Sequence, residues 1–234
     1  MKILAIDSCS NVATAALMED DVLIAQFLLN NKTTHSTKLL PQIEYMMKNA
    51  ETEFANIDLF AVTIGPGSFT GERIGVATAK ALAHAVNKPM VGVSALKAMA
   101  YNFKYTDYLI CPIMDARREQ VYTATYHWDN DVLITLNEDR AMALEDLLEE
   151  INEDVIFLGD GVPVFKDKIA EKLGKKAHFA PANLLHINGS GVAECAKDEY
   201  DNGNACDYSS LVPTYLRLSQ AEREYNEKTL GGNV

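Results

Sequence analysis

The sequence predicts an α/β protein of two similar lobes, each reading strand-strand-strand-helix-strand-helix-strand-helix. Three observations carry this. The same order of elements occurs twice along the 234 residues, and two agreeing halves constrain each other more than any single motif does. In each half an antiparallel hairpin leads into strand-helix-strand units, so each lobe should hold a mixed sheet of five strands flanked by helices. The composition, 48% hydrophobic and 23% charged, supplies a sizeable core and excludes a disordered polymer or a cysteine-stapled miniprotein.

The first half opens with a buried-type strand, Lys2 to Asp7, a polar turn (Ser8, Cys9, Ser10, Asn11) and a second strand, Val12 to Met18. After the acidic turn Glu19-Asp20-Asp21, a third strand runs from Val22 to Leu29. Polar residues 30–35 lead to Ser36 as an N-cap. Leu39, Ile43, Met46, Met47 and Ala50 then recur at helical spacing, with Pro41 as an expected kink. A strand at Asp58–Ile64, a Gly-rich loop and an Ala-rich helix from Glu72 to Val86 follow, and Pro89 ends the helix. A short strand, Met90–Val93, and a helix N-capped by Ser94 complete the half.

The second half repeats that order with strands Tyr108–Met114, Gln120–His127 and Val132–Leu136, separated by turns at Asp115–Glu119 and Asp129–Asp131. Helix Ala143–Ile151, strand Val155–Gly159, helix Pro163–Leu173 with Gly174 as C′ residue, strand Ala177–Phe179 and helix Ser190–Tyr200 follow in turn. The division places residues 1–104 in the first lobe and 105–210 in the second, with the tail 211–234 returning to the first. This succession resembles the duplicated domain of the actin, sugar-kinase and Hsp70 superfamily.

Thirty-three acidic residues against 21 basic ones leave a net charge of −12, which disfavours a whole-surface nucleic-acid binder. Lys and Arg are scattered, the densest groupings being Arg117-Arg118 and Lys175-Lys176. Cys9, Cys111, Cys195 and Cys206 have no C-x-x-C spacing and no secretory signal precedes them, so a cytoplasmic protein with reduced thiols is expected. No pair among His35, His84, His127, His178 and His186 stands at i+3 or i+4, and no metal site is predicted. No apolar run approaches the roughly 20 residues that cross a bilayer.

The loop Gly65-Pro66-Gly67-Ser68-Phe69-Thr70-Gly71, followed by Glu72-Arg73-Ile74-Gly75, joins a strand to a helix. Its glycines allow close backbone approach, Pro66 fixes one φ, and Thr70 can cap the helix. Two readings stand: an anion cradle at a helix N-terminus, or a tight turn that packs Phe69 beneath the helix. No Gly-Lys-Ser/Thr ending follows, and Glu72 in the first turn would repel a phosphate.

GPGSFTGERIG resembles the GPGSFTGxRIG signature of the TsaB (YeaZ) family. ILAIDSCSNVATAAL, THSTKLLPQIE, DARREQVY, Gly159-Asp160-Gly161 and PTYLRLSQAE are similar to further family segments in the family's order, so the resemblance covers nearly the whole chain. Glu72 departs from it, an apolar residue being more usual there. The resemblance implies a non-catalytic dimerisation subunit of the bacterial machinery for tRNA threonylcarbamoyladenosine. A TsaD-like catalytic subunit and a TsaE-like ATPase would be its partners, carrying the ATP and metal chemistry, and tRNA would be met only through them.

The residues agree with that implication. An actin-type ATPase rests phosphates on two Gly-rich hairpin turns with an Asp near each for magnesium-bound water. Asp7-Ser8-Cys9-Ser10-Asn11 and Asp115-Ala116-Arg117-Arg118 keep the Asp and lack Gly, so Asp7 and Asp115 read as turn-capping residues, and Asp7, Ser8 and Asp115 mark degenerate phosphate turns. An ATP-dependent small-molecule kinase is the alternative on fold alone. A metallopeptidase lacks ligands, and Gly67-Ser68-Phe69-Thr70 lacks the spacing of a nucleophile elbow.

The helix over residues 73–86 carries Ala77, Ala79, Ala81, Ala83 and Ala85 with Ile74, Val76, Leu82 and Val86, so its apolar residues surround the axis. Sheet packing uses one stripe, and the remainder indicates a second helix, which small alanines admit to about 8 Å. With Leu39, Ile43, Met46 and Met47 of the preceding helix, Ala77 and Ala81 are expected to form a self-complementary patch, rimmed by Arg73, Lys80 and His84. It would serve a homodimer when the protein is alone, or pairing with the similar lobe of the TsaD-like subunit.

Overall fold

A computed structural model describes residues 1–31 and 35–217. The first sheet is built from β1 (Lys2–Asp7), β2 (Ala13–Glu19), β3 (Val22–Leu29), β4 (Leu59–Thr63) and β5 (Met90–Val93) in the order β3-β2-β1-β4-β5. The second is built from β6 (Leu109–Asp115), β7 (Gln120–Asp129), β8 (Val132–Ala143), β9 (Val155–Leu158) and β10 (Ala177–Phe179) in the order β10-β9-β6-β7-β8, the same topology read from the other edge. In both, the first three strands pair antiparallel, the fourth joins the central first strand in parallel and the fifth joins the fourth in parallel. The register sets Ile6 beside Ala15 and Val62, and with Ile3 and Ala5 in the central core and Leu4 and Ile6 in the outer one, the apolar run of β1 is covered on both faces.

Among the described residues six α-helices cover the sheets: α1 (His35–Asn49), α2 (Phe69–Val86), α3 (Ala95–Ala100), α4 (Leu144–Glu150), α5 (Val162–Leu173) and α6 (Gly189–Asp201). Helices α1 and α2 lie on the outer face of the first sheet, where Leu4, Ile6, Phe60 and Val62 meet Leu39, Ile43, Val76 and Ala79. Helices α4 and α5 cover the outer face of the second sheet with Leu147, Phe165 and Ile169. Between the sheets lies a central core holding Ile3, Leu59 and Val91 from one side, Ile110, Tyr126 and Trp128 from the other, and α3 and α6 in the middle.

That middle layer departs from the expected division. Helix α6 belongs to the second half of the chain but packs on β1, β2, β4 and β5 of the first sheet, while α3, from the first half, packs on β6 and β7. Each half therefore supplies the inner helix of the other. Trp128 Nε1 donates to the Ala100 carbonyl at the end of α3, 3.3 Å away, which pins that helix to the second sheet. After α6 the chain returns to the first lobe: Cys206 exchanges both backbone bonds with Met90, and Leu211 is buried in the outer core of that lobe. The rest of the expected tail, beyond Arg217, lies outside the described residues.

Three boundaries differ for local reasons. Helix α1 spans His35–Asn49 among the described residues, so Ser36 is a helical residue and not its N-cap, and the helix continues through Pro41. Helix α2 begins at Phe69 and its N-cap is Ser68, whose Oγ accepts from Gly71 N at 3.2 Å, so Thr70 is a helical residue and not the cap. Strand β8 continues past Leu136 to Ala143 because register shifts near Thr125 let the polar stretch Asn137–Arg140 keep pairing with β7.

Candidate functional site

The turn after β1 faces the turn after β6 across a cleft of about 400 Å³. Asp7 is fully buried, and its Oδ1 accepts from Cys9 N at 3.0 Å and from Thr63 Oγ1 at 2.5 Å, the pattern of a turn-capping carboxylate. Burial pushes its pKa up, against the pull of those hydrogen bonds, and Oδ2 has no partner. The Cys9 thiol is raised as well, by burial first and by the nearby Asp7 next, which keeps it protonated and unreactive. Ser8 Oγ donates to the Gly71 carbonyl at 2.8 Å, so its hydroxyl serves the packing of the loop.

In the second turn, Asp115 accepts from Arg117 N at 2.8 Å and pairs with the Arg117 guanidinium at 3.2 Å. Arg117, Arg118 and Glu119 all take left-handed φ between 55° and 66°, a conformation that non-Gly residues adopt reluctantly. The Asp160 carboxylate accepts from Asp115 N and from Asn11 N, joining the turns of the two lobes. The Gly159-Asp160-Gly161 segment showed that residue in the sequence, but not its bridging position.

The loop Gly65–Gly71 is a packing device. A β-carbon at Gly67 would stand 2.2 Å from the Cys9 carbonyl oxygen, and one at Gly71 2.0 Å from that of Ser8, so both positions require glycine for the loop to touch the first turn. Phe69 does not lie beneath the helix. Its ring stands over the cleft, 4.5 Å from the ring of Tyr215, with the Arg73 guanidinium 3.9 Å from its centre. Glu72 is buried, not at the surface of the loop: one oxygen accepts from Gly67 N, and Oε2 is unpaired. Burial, with a smaller contribution from Asp7, raises its pKa to about 7.

These groups do not fit a magnesium nucleotide. Both turn carboxylates are engaged by their own turns, Glu72 sets a carboxyl where a phosphate would meet the α2 N-terminus, and Tyr215, Leu216 and Arg217 line the mouth of the cleft. Among the described residues no group of three His, Cys, Asp or Glu could hold a metal ion. No described helix is long and apolar enough to cross a membrane.

The expected helical patch divides in two. Leu39, Ile43, Met46 and Met47 are buried under α1, at 6% exposure or less, and form core, not surface. Their periodicity marks the face that packs on the sheet; the exposed apolar residues of α1 are Leu40 and Tyr45, on its other faces. On α2 the expected residues Arg73, Ala77, Ala81 and His84 are exposed along one stripe, whereas Val76, Ala79 and Ala83 are buried. Lys80 is half-buried, and its Nζ donates to the Leu211 carbonyl at 3.0 Å, so it anchors the returning chain and is not a free rim charge.

Two lobes of identical topology, with their first turns facing across a cleft, define the class of duplicated α/β proteins to which actin, sugar kinases and Hsp70 belong. Within it, this chain belongs to the TsaB (YeaZ) family. The family model of TsaD, tRNA N6-adenosine threonylcarbamoyltransferase, matches residues 23–225. The tRNA threonylcarbamoyladenosine biosynthesis protein TsaB of Bacillus subtilis is 36% identical over 230 residues, 97% of this chain and 99% of that one. The protein of the same name from Escherichia coli is 31% identical, with 94% and 96% covered. The solved structure of YeaZ from Pseudomonas aeruginosa shares the fold at a TM-score of 0.75 and 21% identity, covering 92% of this chain and 99% of that one.

Proposed function

We propose that this protein acts in forming threonylcarbamoyladenosine beside the anticodon of tRNA, as a non-catalytic subunit that supports a TsaD-like transferase, with a TsaE-like ATPase in the same complex. The observation that carries the reading is the full-length similarity to proteins named for that biosynthesis. The non-catalytic role is supported by the two Gly-free turns, each with a carboxylate that accepts from the backbone of its own turn; the same feature disfavours an ATP-dependent kinase. ATP and metal belong to the partner subunits. With a net charge of −12, the chain reaches tRNA through those partners, and the cytoplasm is where it works.

The docking surface is the exposed stripe of α2, Arg73, Ala77, Ala81 and His84, where alanines admit a facing helix closely. Alone, the stripe closes a two-fold homodimer; in the complex it meets the similar lobe of the TsaD-like subunit. Co-expression with the TsaD-like subunit from the same source, followed by size-exclusion chromatography, tests this. Wild type and Lys166→Glu should co-elute with the partner, and Ala81→Glu should not. Capture by a folded Ala81→Glu variant would move the interface elsewhere. Calorimetry with ATP and magnesium should show no binding, and a dissociation constant of about 10 μM or tighter, roughly 7 kcal/mol, with turnover, would restore the kinase reading.

A further inference from the structure

The chain beyond α6 contacts one flank of α2 at three successive places. Tyr208 lies tilted against His84 with ring centres 4.4 Å apart, the Leu211 carbonyl accepts from Lys80 Nζ, and the Tyr215 hydroxyl accepts from Arg73 Nε at 3.0 Å. Positions 73, 80 and 84 share a helix face, so residues 208–215 run antiparallel along α2 over more than two of its turns. The strand-like bond pair between Cys206 and Met90 fixes one end of this segment. Thr214 N donates to the Ile64 carbonyl at 2.7 Å beside the loop Gly65–Gly71. The segment then leaves the first lobe, and Arg217 donates to the Ala116 carbonyl in the second-lobe turn at 2.8 Å.

We propose that the segment Cys206–Arg217 is a strap that shapes the docking face of α2 and couples it to the opening of the cleft. Its second half rests on the docking reading above. The strap holds two of the polar residues on that face: Arg73, whose guanidinium lies over the Phe69 ring, donates to the Tyr215 hydroxyl, and His84 lies against Tyr208. Exposed Val212 and Tyr215 extend the face sideways, so the occupant, a helix of a chain of the same fold, meets α2 and the strap together. Because Tyr215 and Arg217 are two residues apart, separating the turn at Ala116 from the loop at Gly67 pulls on the hydroxyl that orders Arg73. Tyr215 is thus a positioning residue, and a partner that needs Arg73 in place binds best to the closed cleft.

Hydrogen exchange on the isolated full chain tests the tie, and partner capture tests the docking half. In Arg217→Ala, exchange should rise several-fold in residues 65–71 and 115–119 and stay unchanged in β1 and β6; wild-type exchange in both loops would overturn the strap. Tyr215→Ala should weaken capture of the TsaD-like subunit about 10-fold, and Tyr215→Phe, which keeps the ring on Phe69 and loses the hydroxyl, by less. Wild-type capture by Tyr215→Ala would remove the strap from the docking face, and Tyr215→Phe decides the point if the alanine variant does not fold. Failure of the wild-type chain to capture any partner would overturn the proposed function, while the exchange result would still judge the tie.

Discussion

Glu72 is the residue that the resemblance marks as unusual in the signature loop, and its surroundings say what a carboxyl does there. Ser68 caps the N-terminus of α2 while the Glu72 carboxylate turns back to the Gly67 N–H, so two donors at the helix end are satisfied by neighbouring side chains. The capping pair, Ser68 and Glu72, is spaced one residue wider than the usual capping box. Satisfying Gly67 N requires burial of the carboxyl beside Asp7, with Oε2 unpaired. An acid whose pKa rises on folding from 4.5 to about 7 keeps its proton in the folded chain after the unfolded chain has lost it. Stability should therefore fall as pH climbs through that window and be lowest above it. Glu72→Gln should match wild type near pH 5 and exceed it at pH 8 by on the order of 2 kcal/mol, one pKa unit being worth about 1.4 kcal/mol. Urea unfolding at both pH values checks this, and an equal difference at the two would refute the assigned cause. A smaller slope should persist in the variant, because Asp7 is raised too.

At the scale of the element, α1 shows what a helical period can tell. Leu39, Ile43, Met46 and Met47 recur at the right spacing and do share a face, and that much was legible. The period reports which residues are removed from water, not whether a sheet of the same chain or another molecule removes them. Here β1, β2 and β4 supply the cover. The exposed Leu40 and Tyr45 fall outside the period and carried no signal. Ile43, at 0% exposure, should therefore behave as core: Ile43→Ala should cost about 2–5 kcal/mol in thermal or urea unfolding of the isolated chain. A loss of partner capture with unchanged stability would instead return Ile43 to an interface. Helix α2 has alternate alanines buried and exposed; its all-round apolarity was legible, but what meets the exposed alanines was not. The flank covered by the strap was not legible, since residues 205–217 have neither helical nor strand period and their contacts are made by single side chains and carbonyls.

For the whole molecule, the duplicated order of elements was readable because alternation, helical stripes and Gly/Pro punctuation each recur twice, and the two sheets follow it. The exchange of inner helices was not. The apolar stripe of α6, including Val192, Ala193 and Ala196, says only that it packs on a sheet, and chain order assigns it to the nearer one. In space it covers the inner face of the first sheet, where Ile3, Leu59, Val91 and Val93 are at most 3% exposed. A fragment ending at residue 107 keeps all five strands of that sheet and loses this cover. Each large apolar side chain uncovered forfeits about 1.5–3 kcal/mol, against the 5–15 kcal/mol that stabilise a whole domain. The complementary fragment from residue 105 loses α3 from the face of the second sheet, leaving Trp128 and Tyr126 without it. Fragments 1–107 and 105–217, expressed separately, should show no cooperative thermal transition, and mixing them should restore one. The whole chain should unfold in a single calorimetric transition whose enthalpy equals the van't Hoff value. Two resolved transitions, or a cooperatively folded 1–107, would mean that the lobes are independent and that α6 is an ornament on the first sheet, not half of the layer that joins them.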